Sequence, residues 1–394
     1  MTNATAAGGA GAARSRHLPL DGVRFIPMFL IFLSHVALTV PFASLSFTKS
    51  YFKYFGGVGQ IGVSFFFVLS GFVLAWTARR KDTVLAFLRR RIVRIYPIHV
   101  VTLLLALAVF GTAMTTLDSS LANLALIQSW SSEPRWFNSL NAPSWSLSPL
   151  LFFYVAFPLL HRLLHRLRPQ FLWWCAGAMV ALVIALPAVV RALVPADPAA
   201  PPFFRATSMK AFWLVEIFPP SRLPEFALGM VLAYLVKSGR WIRIPLPAAL
   251  LLAPIGYVVS LNVPKEYQMS AAMIIPWAVI VPAIAASDSK FGETLLGNRM
   301  MVWLSKQGLA FMLVQYPVMI FFDKQFGITE TYTVTEGMGL AALDLVTSIA
   351  LAWILTTCID WLIARLPSSP RPQPVETPAE RTGDREALTD RTTA

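Results

Sequence analysis

The sequence predicts an all-α polytopic membrane protein of about ten transmembrane helices with both termini cytoplasmic. Three observations carry that expectation. The 394 residues are 56% hydrophobic and only 13% charged, with a mean hydropathy of +0.61, whereas soluble domains carry about a quarter charged residues. The apolar residues fall into runs of roughly seventeen to twenty-five, the length of helix that crosses a bilayer core. The formal charge of +13 arrives in short clusters between those runs, which is where topology signals sit. That scattered placement argues against nucleic acid as a partner, whose ligands need basic charge gathered on one face.

Taken in order, residues 1–17 are rich in Ala and Gly, with Arg14 and Arg16 just ahead of the first apolar run. No small-residue cleavage site follows an apolar core of signal-peptide length, so a disordered N-terminal segment is expected there. Residues 18–366 form a single transmembrane domain. Residues 367–394, dominated by Pro, Thr, Arg and Glu, predict a disordered tail. The apolar runs lie near 22–42, 58–78, 92–114, 146–164, 172–194, 222–236, 244–261, 269–287, 301–322 and 339–364. The sixth is short and carries Glu225. Pro27, Pro187, Pro254 and Pro276 fall inside runs, where neighbouring helices can re-satisfy the freed backbone groups. With the N-terminus inside, the cytoplasmic loops hold Arg79, Arg80, Lys81, Arg89, Arg90, Arg91 and Arg94, then Arg162, Arg166, Arg168, Lys237, Arg240, Arg243, Lys290 and Arg299. The opposite loops hold Lys49, Lys53, Arg135, Arg191, Arg205, Lys210, Arg222, Lys265 and Lys324, spread over much longer sequence. The bias favours the N-in, C-in arrangement of ten spans.

Some patterns point nowhere. Gly57-Val58-Gly59-Gln60-Ile61-Gly62 matches G-x-G-x-x-G, but a membrane span follows it where the dinucleotide fingerprint needs an amphipathic helix and an acidic residue. These glycines are read as a tight turn and a close helix contact, so NAD is rejected. Cys175 and Cys358 lie in apolar runs and form no metal or disulfide motif. His161 and His165 have i, i+4 spacing, but Arg162, Arg166 and Arg168 surround them, and cations repel a metal ion. They are read as a solvated basic loop.

Chemistry concentrates between Gly22 and Pro97. A bilayer tolerates few ionisable groups, so His35 in the first run is a functional-site candidate. It lies thirteen residues past Gly22, about 20 Å along a helix. Arg24, eleven residues before it, falls nearly on the same face, about 16 Å away along the axis. A polar line on one helix face suggests a cavity; the competing reading is a histidine bonded to a neighbouring helix and an arginine snorkelling to the headgroups. Arg91 and Arg94, spaced i, i+3 on what is expected to be the opening turn of the third span, could grip a phosphate by paired hydrogen bonds, helped by the helix N-terminus. A plain topology signal is the alternative. Ser70 has no histidine at a spacing that would activate it as a nucleophile, and is read as packing.

Several stretches then fall into line. Leu20-Asp21-Gly22-Val23-Arg24 with His35, Phe65-Phe66-Phe67-Val68-Leu69-Ser70-Gly71-Phe72, and Arg90-Arg91-Ile92-Val93-Arg94-Ile95-Tyr96-Pro97 resemble the opening landmarks of the acyltransferase-3 family of integral-membrane O-acyltransferases. Ser144-Trp145-Ser146-Leu147-Ser148, with Phe153-Tyr154 and Phe157-Pro158, resembles the next, and Arg222-Leu223-Pro224-Glu225-Phe226-Ala227-Leu228-Gly229-Met230 a later one. The resemblance covers roughly residues 18–365 and runs to the stand-alone actinobacterial members that acylate macrolide sugars and similar natural products. It implies a ten-helix acyltransferase core in the bacterial cell membrane, acyl-CoA as donor, a hydroxyl of a sugar or natural product as acceptor, and no bound cofactor. It further implies that His35 is the catalytic base and that Arg91 and Arg94 help bind the donor. Arg24, Ser70, Trp145, Ser148 and Glu225 are expected to support the site.

Two departures stand out. The acid that members commonly carry after W-S-L-S is absent from Ser148-Pro149-Leu150-Leu151-Phe152, and the late histidine of the family is replaced by Gln315. Acyl transfer would proceed directly, with neutral His35 taking the acceptor's proton. The rivals are a cell-surface glycan O-acetyltransferase, an acyl-CoA-binding relative impaired by the two losses, and a transporter. The lack of paired half-chain repeats counts against the last.

Overall fold

An apolar run inside a bilayer has to close its backbone hydrogen bonds within itself, and a helix is how a single run does so. This computed structural model describes residues 18–39, 42–78, 83–111, 115–196, 199–201, 204–287, 290–326 and 332–365. Among these residues the chain is all-helical, the only extended pairings being two isolated bridges, Phe42 with Tyr332 and Ala199 with Ser208. The main helices are α1 (Leu18–Gly22), α2 (Phe25–Thr39), α3 (Leu45–Phe55), α4 (Val58–Thr77), α5 (Val84–Phe110), α6 (Leu117–Leu124) and α7 (Leu147–Arg166). They continue with α8 (Leu172–Leu193), α9 (Pro219–Lys237), α10 (Leu246–Asn262), α11 (Ser270–Ala286), α12 (Arg299–Phe326) and α13 (Val334–Ala364). The segments expected to be disordered, 1–17 and 367–394, lie outside the described residues, as do Arg79, Arg80 and Lys81.

Among the described residues, seven helical stretches are long and apolar enough to cross a membrane: Pro19–Thr39, Leu45–Thr77, Val84–Phe110, Ala142–Arg166, Pro169–Leu193, Lys265–Ala286 and Val334–Ala364. The three other expected runs are helical as well but fall short of that measure. α10 is short, α9 carries Arg222 and Glu225, and α12 carries Arg299, Lys306, Asp323 and Lys324. Two compact units divide the chain, residues 1–357 and 358–394. Of the second, only 358–365 is described, a helical end where the Arg365 guanidinium lies 3.5 Å over the Trp361 ring.

Several boundaries differ from the sequence expectation for physical reasons. The first run is broken at Val23–Arg24, where Ser305 of α12 donates to the Gly22 carbonyl (2.5 Å) and accepts from the Phe25 amide (3.1 Å). Arg24 therefore sits in a turn ahead of α2. The third span starts at Val84, capped by Thr83 accepting from the Ala86 amide (3.2 Å). Arg91 and Arg94 thus lie two to three turns inside α5, and the helix N-terminus expected beside them is elsewhere. His161, Arg162, His165 and Arg166 belong to the last turns of α7, not to a loop.

The core is built on α4, which packs against α2, α9 and α11. Gly71 and Gly229 let α4 and α9 touch backbone to backbone. A Cβ at Gly71 would stand 1.9 Å from the Phe226 carbonyl oxygen, and one at Gly229 1.9 Å from that of Val68. In the G-x-G-x-x-G run, Gly59 faces Ser34 and Gly62 faces the Pro27 carbonyl of α2 in the same manner. Small residues set helix spacing in a membrane, where no hydrophobic drive separates protein from lipid.

Between α5 and α7, residues 115–146 fold into a buried polar knot. Asn123 Nδ2 donates to the Ser139 carbonyl (2.6 Å), Ser144 Oγ to Asn123 Oδ1 (3.0 Å) and Gln128 Nε2 to the Ser144 carbonyl (3.1 Å). His99 Nε2 meets the Asn123 carbonyl at 3.0 Å. Asn141 Nδ2 donates to the Leu313 carbonyl of α12 at 2.8 Å. Pro317, four residues on, has no N–H to offer that carbonyl, so the knot completes a helix that its own sequence leaves unfinished.

Candidate active site

Most of the expected site residues gather at two levels along α5, with Arg94 and Phe110 about 24 Å apart at helical rise. At the first end, Arg24 ion-pairs with Asp21 at 3.3 Å. Arg24, Arg91 and Arg94 lie close enough to feel one another's charge, and all three feel Tyr154. The break before α2 brings Arg24 here, while α7 delivers Tyr154. The Arg91 guanidinium rests over Phe87 (5.4 Å) and Tyr154 (6.0 Å), which holds its stem against apolar surface while its charge stays at the cluster. Arg94 is exposed. Three guanidiniums crowded together repel one another, and an anion among them relieves that repulsion.

Beside this cluster opens a cavity of about 630 Å³ between α5 and α7, within the size range of small-molecule sites. Arg90 and Arg91 line one wall; His161, Arg162, His165 and Arg166 line the other. Among the described residues, no carboxylate lines it.

At the other end, His35 is half-buried in the last turns of α2. Its ring meets the Tyr316 ring of α12 edge-on at 5.4 Å, and Tyr316 in turn meets Phe110 at the end of α5 (5.8 Å). His35 Nδ1 is buried without a hydrogen-bond partner. Among the described residues no carboxylate pairs with His35, in keeping with Leu150, a fully apolar buried side chain, at the position of the absent acid. Gln315, at the position of the absent histidine, is buried and donates to the Met312 carbonyl at 3.3 Å. Trp145, Ser146 and Ser148 are buried: Ser146 Oγ contacts Met312 Sδ of α12 at 3.7 Å, and the Trp145 carbonyl accepts from Ser129 Oγ at 2.8 Å. Ser148 Oγ and Asn141 Oδ1 are buried without partners.

Two of the expected supports stand apart from both ends. Ser70 is half-buried in α4, and no hydrogen bond joins it to a histidine among the described residues. Glu225 belongs to a buried ion network. Arg222 Nη1 donates to Glu216 Oε2 (2.7 Å) and to Ser270 Oγ (2.8 Å), and Arg222 Nη2 ion-pairs with Glu225 Oε2 (3.1 Å). Ser270 Oγ donates to Glu216 Oε1 (2.6 Å). Arg222 is therefore not the loop charge assumed in the topology reading.

Sequence reasoning does not single out Tyr154 or Tyr316, and it reads the α7 wall of the cavity as a solvated basic loop. The wall leaves a signal nonetheless, since His161 with His165 and Arg162 with Arg166 repeat at i, i+4 and share a helix face. The two tyrosines leave none beyond lying in stretches that match family landmarks.

Comparison with known proteins places the chain in a family. A profile described as an acyltransferase domain, Acyl_transf_3, matches residues 18–364. The chain is 34% identical over 364 residues to acyltransferase MdmB of Streptomyces mycarofaciens, covering 90% of this chain and 93% of that one. No solved structure matches.

Proposed function

The chain belongs to the acyltransferase-3 family, and from that premise we propose that it carries an acyl group from acyl-CoA to a hydroxyl of a sugar or natural product, with a macrolide-type acceptor. That it transfers acyl groups and is a multi-pass bacterial membrane protein follows from the family itself. The observation that carries the finer reading is the two-ended layout along α5, with guanidiniums at one end and an unpartnered imidazole nitrogen at the other. A donor with charged phosphates and a long thin thioester arm matches that separation. Arg91 and Arg94 hold the phosphates, charge against charge, with Arg24 beside them. His35 takes the proton of the acceptor hydroxyl as its oxygen attacks the thioester carbonyl. The carbon–oxygen bond forms, the carbon–sulfur bond breaks, and the leaving thiolate recovers the proton from His35. Tyr316 confines the imidazole ring in place of the absent acid.

A strain lacking this protein is expected to lose one acylated natural product that its parent makes, seen as a mass shift of one acyl group in an extract comparison. Unchanged metabolites with altered envelope glycan acylation would move the acceptor to the cell surface.

The topology within this proposal is N-in and C-in with ten spans, α9, α10 and α12 completing the count. It places the Arg91 end at the cytoplasm, where acyl-CoA is made. Reporter fusions at Thr83 and at Leu117 are expected to signal cytoplasmic and external locations respectively. An external signal at Thr83 would invert the scheme.

A further inference from the structure

The cavity between α5 and α7 has a second basic wall that the donor arginines alone do not explain. His161, Arg162, His165 and Arg166 occupy successive i, i+4 positions on the final turns of α7, facing Arg90 and Arg91 of α5 across the cavity. Topology requires basic residues only near a helix end, and is indifferent to whether they line one cavity. Here four guanidiniums and two imidazoles do so, which suits a ligand bearing more than one phosphate.

Aromatic rings line the cavity between the walls. Phe87 stacks on Phe157 (5.0 Å, 22° between planes), and Phe157 stacks on His161 (5.4 Å, 17°). Phe87 and Phe157 are buried in that run, and the half-buried His161 ring at its end is the ledge that a planar base can meet, since ring faces attract one another in offset stacks. His161 Nδ1 meets the Tyr234 hydroxyl of α9 at 2.6 Å, which fixes the plane of that ledge. A lipid headgroup would use the cations and leave the ledge idle. A purine nucleotide uses both.

We propose that α7 supplies a nucleotide subsite, in which Arg162 and Arg166 hold a phosphate of the CoA nucleotide that Arg91 and Arg94 do not reach and the His161 ledge carries the base. This rests on acyl-CoA being the donor. The site makes the enzyme selective for CoA thioesters over nucleotide-free thioesters, a distinction that neither His35 nor the Arg91 cluster provides by itself.

Binding of CoA and of pantetheine to the purified full-length protein in phosphatidylcholine nanodiscs, followed by calorimetry, tests this without knowing the acceptor or the acyl chain. The Arg162→Gln, Arg166→Gln double variant is expected to weaken CoA binding roughly a hundredfold, about tenfold for each charge-assisted hydrogen bond removed. Pantetheine binding should shift less than twofold. Arg162→Lys with Arg166→Lys keeps the positive charge that orients the span but gives up the planar fork, so its CoA affinity should fall between the two. Both side chains are exposed, so folding is not at stake. If the double Gln variant binds CoA within twofold of the parent while Arg91→Gln with Arg94→Gln does not, the subsite is wrong and the donor reading stands. If the parent itself does not bind CoA, the donor reading falls and the subsite with it. Should the double Gln variant lose only its retention of added phosphatidylglycerol, the wall binds lipid and the proposal is overturned.

Discussion

Replacing His35 with Gln is expected to lower the initial rate of acyl transfer by about 10²–10⁴-fold, the usual contribution of a general base. Glutamine keeps approximate volume and a hydrogen-bonding end, so the packing against Tyr316 survives while the capacity to take a proton does not. CoA affinity should remain within twofold of the parent, because the proposed phosphate site lies at the far end of α5. A loss of binding alongside rate would make His35 a structural residue whose removal disturbs the whole site. Full activity in His35→Gln would remove it from the chemistry, leaving family membership without a base at this position.

The second large effect concerns stability. Arg222→Met leaves Glu216 and Glu225, both essentially without solvent exposure, facing each other with no counter-cation. Breaking a buried pair in this way costs about 3–5 kcal/mol, because the remaining charge keeps its desolvation penalty and loses its compensation. The loss should appear as a lowered unfolding midpoint in detergent and poor recovery of folded protein. Arg222→Lys should also destabilise, since one ammonium cannot reproduce the fork that reaches Glu216, Ser270 and Glu225 together. Changing Glu216→Gln, Arg222→Met and Glu225→Gln together removes every charge and should recover much of the loss. An Arg222→Met protein as stable as its parent would mean that the network contributes nothing to the fold.

These two residues mark how unevenly the sequence discloses the molecule. His35 is legible as a candidate because an ionisable group is rare in an apolar run. The helical segments are legible for the related reason that bilayer thickness sets run length. Arg222 is misread as a loop charge because, besides Glu225 one turn on, its compensation comes from Glu216, in a π-helical turn before α9, and Ser270, on a separate helix. Neither is visible from local pattern. The start of α5 is misplaced because hydropathy marks where a run becomes apolar, whereas Thr83 fixes where the helix begins. Arg91 and Arg94 are recognisable as a pair, but their setting within the helix is not. Tyr154 and Tyr316 escape notice because an aromatic in an apolar run has an ordinary reason to be there. Only the fold that sets Tyr154 among guanidiniums and Tyr316 against an imidazole gives them a different one.

The hydrogen bond from Asn141 to the Leu313 carbonyl has a consequence for re-engineering the enzyme. Acceptor choice invites exchange of residues 115–146 between relatives, because this knot lies beside the stretch of α12 that carries Tyr316. Transplanted alone, an incoming segment without an amide at the Asn141 position would orphan a carbonyl inside the protein one turn before Pro317, and α12 would bend differently just where it abuts His35. The knot and the proline-containing half of α12 are thus one heritable module, although more than 160 residues of chain separate them. Chimeras that swap both should retain turnover where chimeras that swap either one do not, and natural recombination within this family would be constrained by the same linkage.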